Sequence, residues 1–91
     1  MAFWNKIFHR HATASAPAMV SQVIVAVLQE HRLLGEILLQ LPRQFDEHQG
    51  AVVGLHWRGD QLILVVNPVT FTKLRQDDAQ LLLAHEALHV L

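Results

Sequence analysis

His85 and His89 stand four residues apart at the end of an apolar run, with Glu86 between them, in the string His85-Glu86-Ala87-Leu88-His89. On a helix this spacing sets both imidazoles on one face, one turn apart, where they can share a metal ion. Zinc is the ion that such a pair usually holds, and a catalytic zinc takes about three protein ligands and leaves one position for water. Glu86 projects roughly 100° around the helix from His85, which suits a carboxylate that reaches the water rather than the ion and acts as general base. His85 and His89 are therefore the candidate Zn2+ ligands and Glu86 the candidate catalytic residue, for a metal-assisted hydrolysis. A plainer origin competes with this one. A helix rich in leucine and histidine yields the same string when its histidines only hydrogen-bond to backbone or carboxylates.

The elements that would position these residues follow from periodicity. Pro17 suits a first helical turn, and Met19, Val20, Val23, Ile24, Val27, Leu28 and His31 recur at three- and four-residue intervals, which predicts one amphipathic helix ending before Gly35. His31 falls at its polar edge. Ile37 to Leu41, stopped by Pro42, reads as a first strand, and Arg43 to Gly50 as a polar connection. Ala51 to Trp57 and Gln61 to Val66 read as two further strands joined through Arg58-Gly59-Asp60 in an antiparallel hairpin. Leu62, Leu64 and Val66 alternate with Ile63 and Val65, so the last strand is apolar on both faces and should be covered on both, by helices or by a partner domain. Asn67-Pro68 ends it. After a short segment from Val69 to Leu74, Asp77 and Asp78 stand where negative charge complements or caps a helix start. From Ala79 to Leu91 that helix is apolar on nearly every side, which predicts a buried helix. A glutamate buried between two histidines is costly unless something satisfies it, and a metal with its water would do so. The fold class expected is α+β: an N-terminal helix, a small mainly antiparallel sheet with a hairpin, and a buried C-terminal helix carrying the motif.

Composition bounds the alternatives. The chain has 91 residues, enough for a single small core, with 52% hydrophobic and 16% charged residues, more apolar than most free-standing domains of this size. A further domain or partner covering apolar surface is the expectation. The formal net charge is −1 and the seven Lys and Arg are scattered, which gives no electrostatic case for nucleic acid. Cysteine is absent, which leaves nitrogen and oxygen ligands only and fits a reducing, cytoplasmic setting. No apolar stretch reaches the length of a membrane span, so no membrane partner is expected. Seven histidines are an unusual share, and mild acid, which protonates imidazole, weakens metal binding. Ala14-Ser15-Ala16 looks like a signal cleavage site, yet Phe3 to Arg10 offers no continuous apolar core for a signal. Residues 1–17 are therefore expected to be a flexible leader, His9 and His11 included, and residues 18–91 the domain.

The segment Leu64-Val65-Val66-Asn67-Pro68-Val69-Thr70-Phe71, followed by Leu74 and then Leu81-Leu82-Leu83-Ala84-His85-Glu86-Ala87-Leu88-His89-Val90-Leu91, resembles a bacterial family: the metallopeptidase domain found ahead of a VWA-like domain. This is a zincin-like module in which a strand ending in Asn-Pro leads to an HExxH helix. With the upstream helix and the Leu33-Leu34-Gly35 break, the resemblance covers residues 19 to 91, and its specific elements are the HExxH and the Asn-Pro. It implies zinc held by His85 and His89, Glu86 as catalytic base, and a peptide or protein substrate. It also implies that the strand around Leu62 to Val66 pairs with extended substrate. The family usually supplies a third ligand from a Gly-His or similar element beyond the helix, whereas this sequence stops at Leu91, so the domain is expected to be incomplete at its C-terminus. Internal candidates for a third ligand are His56 on the neighbouring strand and His48 in the preceding loop. The competing function is a non-catalytic interaction or scaffold domain that keeps the HExxH as a relic or a structural metal site. A third reading is a plain α+β domain in which the motif is coincidence.

Overall fold

The computed structural model describes residues 15–91. Their elements run in the order α1 (Ala16–Glu30), α2 (Arg32–Gln40), β1 (Arg43–Phe45), β2 (Val53–Arg58), β3 (Gln61–Val66), α3 (Pro68–Phe71) and α4 (Gln76–Val90). The class is α+β, with helices at both ends of a small sheet. Most of the expected leader lies outside the described residues, but Ala16 and Pro17 already belong to α1, and Ala16 is fully buried.

Proline in the first turn starts α1, and Val20, Val23, Ile24 and Val27 form its buried stripe. The helix stops at Glu30 instead of running on to Gly35. His31 breaks it with φ −138° and ψ 85°, while its own N–H still donates to the Val27 carbonyl at 2.7 Å. The His31 carbonyl then accepts from the Gly35 N–H at 3.0 Å and opens α2. Ile37 to Leu41, expected as a strand, is mostly the second half of this helix. Leu34, Ile37, Leu38 and Leu41 all reach the core, the i, i+3, i+4, i+7 spacing of a helical stripe. The first strand lies instead at Arg43-Gln44-Phe45, inside the expected polar connection.

β3 is the central strand of the order β1-β3-β2. The expected hairpin is present as an antiparallel ladder from Val53↔Val66 to Arg58↔Gln61, and β1 adds a parallel ladder from Arg43↔Leu64 to Phe45↔Val66, so the sheet is mixed. The hairpin closes over Gly59-Asp60, where Gly59 has φ +65°, a left-handed value that its missing Cβ permits. One face of the sheet carries Val53, Leu64 and Val66 into a core shared with Ile24, Leu38, Phe71 and Leu83. The long helices α1, α2 and α4 lie on that side, α1 against α2 and α4, and α4 also against β2.

The opposite face carries Ile63 and Val65, also buried. Among the described residues their cover is local and polar. The Gln49 side chain donates to the Val65 carbonyl at 3.1 Å and to the Ala51 carbonyl at 3.0 Å, and its Oε1 lies 3.0 Å from His56 Nε2.

Candidate metal centre

α4 is the platform of the motif. Arg75 occupies its N-cap without a side-chain bond, and Asp77 and Asp78 sit in the first turn, so they act on the helix dipole rather than as caps. Ala79, Leu83 and Ala87 form a fully buried stripe, and the two small alanines let α4 settle closely onto α1 and α2. The expectation of a buried helix is corrected here. Leu81 is 72% exposed and Leu88 55%, and His85 and His89 are exposed beside them. An all-round apolar sequence is covered only where the domain supplies a surface, and the described residues supply one on the Leu83 side alone.

The exposed face nevertheless brings the two imidazoles together. His85 Nε2 and His89 Nε2 are 3.1 Å apart, with the rings edge to face at 89° and their centroids 4.6 Å apart. At this separation one Nε2–H donates to the other Nε2, the tautomers setting which. Two imidazoles on one tetrahedral zinc, each about 2.05 Å from it, place their nitrogens about 3.3 Å apart. The separation of the two nitrogens is thus within a few tenths of an ångström of that between two zinc ligands.

Glu86 is half-buried, on the flank of α4 between the exposed histidines and the core. That position weakens the argument that a buried carboxylate demands a metal, while keeping the group next to the pair.

Neither internal candidate for a third ligand reaches the pair. His56 is paired across the ladder with Ile63, on the sheet face opposite the core to which α4 contributes, and it is engaged with Gln49. His48 lies in the exposed turn after β1, 3.9 Å from Glu47. Among the described residues no group of three or more His, Asp, Glu or Cys side chains is arranged to hold a metal. His9 and His11 lie outside the described residues.

The expected substrate strand is also displaced. β3 is the central strand, paired with β2 from Gln61 to Val66 and with β1 from Leu64 to Val66; the outer edges of the sheet belong to β1 and β2, and β2 packs against α4. One feature that sequence reasoning missed is an open groove of about 500 Å³ lined by Leu74, Asp78, Leu81, Leu82 and His85. A wholly buried helix would place Leu81 and Leu82 in the core, yet Leu81 stands one turn before His85 and shares its face. No helix among the described residues is long and apolar enough to cross a membrane. No protein-family model, curated protein or solved structure matches this chain.

Proposed function

We propose that this chain carries a zinc site of metallopeptidase type, in which His85 and His89 hold the ion and Glu86 serves as base, in line with the resemblance of residues 19 to 91 to the VWA-associated family. The observation that carries the reading is the 3.1 Å approach of the two Nε2 atoms on one face of α4. Zinc, when bound, supplies Lewis acidity to a peptide carbonyl and acidifies a coordinated water. The protein's own part is to present two neutral imidazoles, take the water's proton on the Glu86 carboxylate, and return it to the departing amine. An extended peptide has main-chain partners along the outer edge of β2, and the Leu74, Leu81 and Leu82 groove beside His85 accepts an apolar side chain. The cysteine-free composition supports a reducing, cytoplasmic site of action.

Zinc content measured after purification tests the ligands. The wild-type chain should retain the metal and His89→Ala should lose it; equal content in both would sink the proposal. A peptide-cleavage assay tests the base, for which Glu86→Gln should keep its zinc and lose about 10²- to 10⁴-fold in rate.

A second reading, a structural metal site on an interaction domain, is favoured by one specific observation, the exposure of both rings beside the exposed Leu81 and Leu88. On that reading Glu86→Gln changes neither zinc content nor association.

A further inference from the structure

The described residues give zinc two nitrogens on an exposed helix face, whereas the ion takes four ligands when its shell is closed. We propose that a second copy of this chain supplies the other pair, so that one zinc ion bridges two α4 helices through His85 and His89 of each. The inference rests on the zinc-binding part of the proposed function and adds its regulation.

The geometry suits a two-fold axis through the ion. Both Nε2 atoms converge at 3.1 Å, and both rings are exposed, so nothing in the fold has to move before a second pair approaches from outside. The histidines are offset along the helix, so the plane through the two nitrogens and the ion runs along the α4 axis. Tetrahedral ligation sets two such planes at right angles, and the two helices therefore cross steeply. The apolar Leu81 and Leu88 then lie on either side of His85 within the contact, where each copy covers the other's exposed leucines.

Charge does not oppose the approach. α4 carries no lysine or arginine, and its acidic groups, half-buried Glu86 beside the pair and Asp77 and Asp78 roughly 10 Å down the helix at about 1.5 Å per residue, have the sign that attracts a cation. Crossed helices bury far less than the roughly 1,200 Å² of a stable interface, so the contact depends on the ion. With four imidazoles in place no position remains for water. The bridged dimer is then a closed form, and hydrolysis belongs to the separated chains.

Sedimentation of the full chain under a zinc titration, with bound zinc measured on each species, decides the matter. In chelator the chain should run as a 10.3 kDa monomer. Added zinc should convert it to a dimer that saturates at one ion per two chains, and chelator should reverse this. His85→Ala and His89→Ala, both at exposed positions, should keep the wild-type circular dichroism and lose the dimer. One zinc per chain on a monomer would overturn the bridge and leave the proposed function standing. No zinc on any species would overturn both. A dimer that survives chelator or either substitution would overturn the bridge by assigning association to the leucines alone.

Discussion

Gly35→Leu is expected to abolish the cooperative unfolding transition of this domain, and Gly35→Ala to lower its stability by about 1–3 kcal/mol. Gly35 is buried inside α2, where a Cβ would stand 2.4 Å from Leu28 Cα, 2.6 Å from Leu28 Cβ and 2.7 Å from Leu28 N. Two of those three atoms are backbone of α1, so no side-chain rotation relieves the clash. The helices are joined through the single residue His31, which holds them closest near the vertex and leaves no slack for separation. In an open helix the same alanine would gain about 1 kcal/mol from helix propensity. The sign of the alanine variant therefore decides between propensity and packing, and a urea titration followed by circular dichroism reads it. A more stable Gly35→Ala would mean that α1 and α2 do not approach this closely. Leucine adds three more carbons to a space that cannot hold one, against a total stability of about 5–15 kcal/mol.

The same glycine explains where the sequence misled. Glycine is usually a helix stop, and treating it so turned Ile37 to Leu41 into a strand, although Leu34, Ile37, Leu38 and Leu41 already carry a helical spacing across it. The close approach to Leu28 that requires glycine is a tertiary fact, invisible to any local window. β1 was illegible for a related reason. Arg43-Gln44-Phe45 has little intrinsic strand character and becomes a strand because β3 offers it a ladder. Where local pattern and tertiary demand agree, residues and structure coincide, as at the bounds of β3, the Gly59-Asp60 turn and Pro17 at the start of α1.

At the site, spacing carried the part that depends on the helix alone. His85 and His89 converge because residues four apart on any helix do so. What spacing could not convey is which face of α4 meets the core. Leucines occupy both sides, and the buried stripe is marked instead by the small residues Ala79 and Ala87 flanking Leu83. His56 failed as a third ligand through strand parity, since a shift of one residue moves a side chain to the other face of the sheet.

Asn67→Ala is expected to cost about 2–4 kcal/mol, from the loss of a helix cap and of two bonds to loop carbonyls. Asn67 is 5% exposed and all its polar atoms are engaged. Its Oδ1 accepts from the Val69 and Thr70 N–H groups at 3.0 and 3.3 Å, which starts α3 directly after β3. Its Nδ2 donates to the Gln49 and Glu47 carbonyls at 2.8 and 3.3 Å, which ties down the loop between β1 and β2. The two halves can be separated by Asn67→Asp, which keeps the cap acceptor and removes both donors. It would set a carboxylate oxygen against the Gln49 carbonyl, where two acceptors repel. Asn67→Asp should therefore be at least as destabilising as Asn67→Ala near neutral pH, even though aspartate is among the best capping residues. Chemical denaturation of the three proteins side by side measures this. An aspartate variant close to wild type would show that the cap carries the effect and that the loop contacts contribute little. If the expected order holds, the Asn-Pro element serves chiefly to lock the end of β3, the 46–52 loop and the chain leading into α4 into one unit.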